Sequence, residues 1–120
     1  MLRFRDLTPL QKAVICNGCG GKGSIVPVPE FLFHASCNHH DFYYWRGGSE
    51  ADRKRADEAF YKFMKQDAAM AGTMLKRLHY RLWAYIYYQA VRQFGAKYFH
   101  YGKQRDKEDL KLWLRDTQRS

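Results

Sequence analysis

Cys37, His39, His40, Asp41 and Tyr44 fall within the eight residues "CNHHDFYY", so side chains able to ligate a metal, move a proton and donate a hydrogen bond are crowded together. On a helix His40 and Asp41 sit about 100° apart, which lets one face a cleft while the other reaches sideways to a metal. Cys37 lies one turn before His40 and Tyr44 one turn after it. As a general base, His40 needs a partner that fixes its tautomer. Asp57 in "RADEAFYKFM" is the candidate: it shares a face with Phe60, Tyr61 and Met64. An acid inside an apolar stripe is costly unless paired; the alternative is that it borders the stripe and points to solvent. Asp41 follows the glycine-rich "NGCGGKG", and a hard carboxylate beside such a loop suits calcium, whose shell backbone carbonyls help to fill. Glycine tolerates the backbone angles that turn carbonyls inward.

The same stretch admits a second chemistry. Cys16-x2-Cys19 and Cys37-x2-His40 supply four ligands in two pairs, the arrangement of a tetrahedral zinc site, and a basic chain around it would suit nucleic acid. That reading leaves Asp41, Tyr44 and Asp57 without a role. A redox Cys-x-x-Cys needs a neighbouring βαβ pattern, which is missing.

These residues must be positioned by helices. Thr8-Pro9 starts a short one that runs to about Ile15. Residues 16–29, with four glycines and two prolines, read as a loop. Helix resumes from about Ala35 to the Gly47-Gly48 pair, and Ser49 then caps a long helix to about Ala71, with Ala56, Phe60, Phe63, Met64 and Ala71 as its buried stripe. Thr73 opens a third long helix, on which Leu75, Leu78, Leu82, Ile86 and Ala90 recur at helical steps as far as Phe94-Gly95; "AKYFHYGKQR" is a possible extension. A last short helix spans about Lys107 to Asp116, with Leu110, Trp113 and Leu114 on one face. The expectation is an all-α chain forming one domain over residues 1–120.

Twenty-one lysines and arginines against twelve acids give a net charge of +9, which permits an anionic partner: nucleic acid or an anionic lipid surface. No apolar run reaches the length of a membrane span. The first eighteen residues lack the apolar core and cleavage site of a signal peptide and read as folded structure. Three cysteines allow one bridge with a thiol left over, or a metal site.

The residues in combination resemble the secreted phospholipase A2 superfamily, most closely its small bacterial and fungal branch. Cys37-Asn38-His39-His40-Asp41-Phe42-Tyr43-Tyr44 is similar to the family's signature, a cysteine, two variable residues, His-Asp, and a tyrosine three places on. "ADEAFY" and "WAYIYYQAVRQFG" resemble that branch's later segments in order, and the likeness covers about residues 16–95, leaving the 107–116 helix peripheral. The resemblance implies a phospholipase A2-like fold of two to three long helices, with a calcium loop before the catalytic one. It implies His40 as the base activating water, Asp57 as the acid behind the histidine, Tyr44 as that acid's support and Asp41 as the calcium carboxylate. By the same likeness, carbonyls near Gly18, Gly20 and Lys22 would complete the calcium shell, and Cys37 would form a disulfide with a loop cysteine, Cys19 being chosen over Cys16 on loop position alone. The implied reaction is hydrolysis of the sn-2 ester of glycerophospholipids at a membrane surface; a catalytically inactive fold used for membrane binding is the other outcome of the same likeness.

Among the remaining residues, His39 reads as a surface neighbour of the base, and His34, His79 and His100 as structural or exposed. Tyr61 is an alternative partner for Asp57. Trp45, Trp83 and Trp113 read either as interfacial anchors or as core.

Overall fold

The structure, a computed structural model, describes residues 1–16 and 33–119. Helices make up most of these residues and no strand occurs among them, in keeping with the all-α expectation. Helix α1 spans Pro9–Ile15, with Thr8 and Gln11 closing a reciprocal capping box ahead of Pro9. Helix α2 spans His34–Arg46 and stops at Gly47, whose φ of 78° is open to glycine at little cost. Ser49 caps α3 (Glu50–Ala69) through a box with Asp52. Thr73 accepts from the Lys76 amide to start α4 (Met74–Phe94). In place of a helical extension, the chain tightens into a 3-10 turn over Gly95–Tyr98. Helix α5 runs over Lys107–Arg119, slightly longer than its pattern suggested.

Helices α2 and α3 are joined by residues 47–49 and lie antiparallel: Ser36 near the start of α2 donates to Asp67 near the end of α3, and Tyr44 near the end of α2 meets Asp57. Helix α4 doubles back on α3 in turn, so Arg53 reaches the Val91 carbonyl and Tyr61 stacks on Tyr88. Phe33, Cys37, Phe60, Met64, Ala84, Tyr87 and Val91 form the core between these three helices. A second cluster, including Leu2, Leu7, Ile15, Phe42, Trp45 and Leu110, joins the N-terminal segment and α5 to the other side of α2. The segment after α4 is fastened to the α2–α3 turn by Gly48 N–H donating to the His100 carbonyl (2.9 Å) and Gly102 N–H donating to the Gly48 carbonyl (3.0 Å).

One expectation about faces needs correction, and the inward face of α4 is defined. On α3 the buried positions are Arg53, Ala56, Asp57, Phe60, Met64 and Ala68; Phe63 is only half-buried and Ala71 lies beyond the helix. On α4 the regular Leu75–Leu78–Leu82–Ile86 stripe faces solvent, and Ala84, Tyr87 and Val91 face the core. Leu82 and Ala84 are about 200° apart round the helix, so α4 is apolar on two opposed faces and spacing alone does not say which is inward.

Candidate active site

Helix α2 places Cys37, His40 and Tyr44 along one inward row, and α3 presents Arg53, Asp57 and Phe60 to it at four- and three-residue steps. Asp57 has no solvent exposure, and His40 is buried. His40 Nε2 lies 2.7 Å from Asp57 Oδ1. An ionised carboxylate only accepts, so Nε2 carries the proton and Nδ1 is left as the ring's basic nitrogen. The imidazole plane is fixed by Phe60, stacked at 4.5 Å between centroids, and by Tyr44 at 4.2 Å.

Tyr44 donates its hydroxyl to the same Oδ1 at 2.7 Å, and Arg92 from α4 donates Nη1 to Oδ2 at 2.8 Å. Arg53 Nη1 stands 3.5 Å from Oδ2. Burial pushes the Asp57 carboxyl upward, but the bonds from His40, Tyr44 and Arg92 prevail and hold it below its ordinary value. The Tyr44 phenol is pushed up, first by burial and then by the Asp57 charge. Arg53 is itself clamped by Glu50, which accepts from Nε and Nη2 at 2.8–3.1 Å, and Tyr101 donates to Glu50 at 2.6 Å. Those hydrogen bonds bring the exposed Glu50 carboxyl down to about 2.

Asp41 is half-buried on α2. The Cys16 thiol donates to the Asn38 carbonyl at 3.1 Å, and burial, then the Asp41 charge, push it up to about 12. Cys16, the last described residue before the glycine-rich stretch, therefore lies close to Asp41. A carboxylate is a hard donor of the kind calcium takes. Gly18, Gly20, Lys22 and Cys19 lie outside the described residues. Among the described residues no three His, Cys, Asp or Glu side chains converge on a metal position.

Of the zinc set, Cys16 is the free thiol, Cys37 is disulfide-bonded and His40 is engaged by Asp57. One expectation changes, and two open alternatives are decided. His39 is half-buried among Phe4, Tyr43 and Phe63 rather than on the surface, and its imidazole is lowered by burial and by His40. Tyr61 stacks on Tyr88, while Tyr44 holds Asp57. Trp45 is buried in the α2–α5 cluster, which removes it as an interfacial anchor; Arg105 sits 5.1 Å from its ring and 5.0 Å from that of Trp113.

Sequence reading missed Arg53, Arg92, Glu50 and Tyr101. Arg53 carried a signal, since it stands four residues before Asp57 on the same helix face. Arg92 carried none, because only the return of α4 along α3 brings it in. Comparison with protein-family models, with curated proteins and with solved structures finds no match to this chain.

Proposed function

We propose that this chain is a calcium-dependent phospholipase A2-like enzyme that hydrolyses the sn-2 ester of glycerophospholipids. The observation that carries this reading is the 2.7 Å bond from His40 Nε2 to Asp57 Oδ1, with Tyr44 on the same oxygen, because it leaves Nδ1 as a base of fixed orientation. Water gives a proton to Nδ1 as its oxygen attacks the ester carbonyl carbon. The imidazolium is held by Asp57 while the tetrahedral species forms. Breaking the bond to the glycerol oxygen, with return of that proton to the leaving alkoxide, yields a fatty acid and a lysophospholipid. Asp41 and carbonyls near Gly18, Gly20 and Lys22 would hold calcium, which when bound polarises the ester carbonyl. Cys19 would pair with Cys37, tying loop to catalytic helix.

The partner in this reading is an anionic phospholipid surface, and the face that suits it is the outer side of α4. Leu75, Leu78 and Leu82 are 80%, 58% and 58% exposed, with Met74 and Ile86 alongside. Helix α4 carries Lys76, Arg77 and Arg81, besides the Arg92 that Asp57 holds, and no acid. Apolar side chains flanked by cations complement an anionic headgroup layer, and contiguous exposed apolar surface marks a contact site. No described helix is long and apolar enough to cross a membrane.

The test is fatty-acid release from phosphatidylglycerol vesicles, in calcium and in chelator, by the parent and by His40→Ala. Calcium-dependent sn-2 release by the parent alone supports the reading. Release by His40→Ala at the parent's rate removes it. Vesicle binding without release points to an inactive fold that only binds membranes.

A further inference from the structure

We propose that Arg92, with Arg53 beside it, is a positioning residue for Asp57: it takes the carboxylate oxygen that His40 and Tyr44 leave, and so fixes the plane in which the carboxylate meets the imidazole. The inference rests on the reading of His40 as the base. Both His40 and Tyr44 bond to Oδ1, each at 2.7 Å, so the turn of the carboxylate about Cβ–Cγ is set from that one oxygen unless Oδ2 is held as well. Arg92 Nη1 on Oδ2 at 2.8 Å adds a second point of attachment that resists the same rotation. A guanidinium is a planar fork that stays charged, so it supplies direction as well as the countercharge a buried carboxylate needs.

The arginines are themselves held. Arg53 donates Nη1 to the Val91 carbonyl at 3.0 Å, one residue before Arg92, and grips Glu50 through Nε and Nη2. Arg92 Nη2 stands 3.6 Å from Glu50, and Tyr101 fixes Glu50 from the segment bridged to Gly48. Two carboxylates and two guanidinium groups thus interlock α3, α4 and the 99–102 segment behind the imidazole.

The experiment pairs kinetics with a signal that needs no substrate: the downfield proton resonance of His40 Nε2–H, assigned by its loss in His40→Ala. Arg92→Met should broaden or abolish that resonance and lower kcat about 10- to 100-fold with KM little changed, as small misplacement of a catalytic group does. Arg92→Lys, which keeps the charge and one donor, should retain the resonance and stay within about 3-fold of the parent. In an Asp57→Asn background Arg92→Met should cost almost nothing more, because its effect passes through Asp57. An unchanged resonance and kcat in Arg92→Met, or a full loss that persists in Asp57→Asn, overturns the proposal. If Arg92→Met does not fold, Glu50→Gln, at an exposed helix start, serves instead: a broadened resonance supports the network and an unaltered one overturns it. A parent without hydrolysis sinks only the proposed function, and the resonance still decides this point.

Discussion

A carboxyl group with no solvent exposure is normally forced toward its neutral form, yet Asp57 is held ionised below its ordinary value because donors occupy both oxygens. The sign of the resulting pH dependence follows. A depressed folded value means that Asp57 contributes stability in full above the unfolded carboxylate value of about 3.9, and loses it as pH falls through the lower folded value. Asp57→Asn should therefore cost about 3 kcal/mol at pH 7, since two guanidinium groups are left facing an amide. That gap should narrow as pH falls from about 4, where the unfolded chain takes up the proton, through the lower folded value, where the native Asp57 loses its charge. Urea unfolding of both proteins at neutral and acid pH measures it; a gap that stays constant would mean that the charge of Asp57 is not what its partners recognise. Tyr44→Phe is the milder change. It removes one of two donors on Oδ1 and should cost about 1 kcal/mol by the same measurement.

At the scale of elements, glycines show how the helices are made to meet. Gly47 has φ of 78°, and a Cβ there would come 2.1 Å from the His100 carbonyl oxygen. Gly47→Ala is thus both strained and obstructed, and should destabilise by about 2 kcal/mol or more. Gly95 adopts an ordinary helical φ of −76°, but a Cβ there would stand 2.4 Å from the Tyr44 hydroxyl. Gly95→Ala should therefore lower hydrolysis by displacing the donor to Asp57, while its loss of stability stays smaller than that of Gly47→Ala. Gly72→Ala meets nothing within 4 Å and should leave both unchanged. Thermal unfolding and vesicle hydrolysis of the three variants test the ranking. The helix starts were legible in sequence because Thr8, Ser49 and Thr73 carry capping chemistry in their own side chains. His40, Tyr44 and Asp57 were legible because helical spacing and an acid among apolar residues are local signals. Arg92 was not, since a tertiary contact 35 residues from Asp57 leaves no periodic trace. The inward face of α4 was not either. Leucine spacing announced a helix, but small Ala84 and the aromatic Tyr87, not the leucines, fill the space beside α3.

For the whole molecule, the net charge of +9 and the exposed leucines of α4 point the same way. Had Leu75, Leu78 and Leu82 been core residues, the positive charge would have been left as a diffuse property of the surface; exposed on an acid-free helix, they set apolar and cationic groups on one element. Docking on anionic lipid then has two separable parts, insertion of the apolar side chains and attraction of lysine and arginine to headgroups. The electrostatic part is screened over a Debye length of about 8 Å at physiological ionic strength, so vesicle binding should weaken as salt rises. The apolar part should survive salt and fail on Leu78→Glu/Leu82→Glu. At exposed positions that double change should leave helicity and unfolding nearly as in the parent. Co-sedimentation of the His40→Ala protein with phosphatidylglycerol and with phosphatidylcholine vesicles isolates binding from turnover. Binding selective for the anionic vesicles, weakened by salt and largely lost in the double variant, assigns the outer face of α4 to the membrane. If the double variant binds as its parent does, the lipid contact lies elsewhere. If instead it changes a dimer into a monomer in solution light scattering, the leucines cover a second copy of the chain.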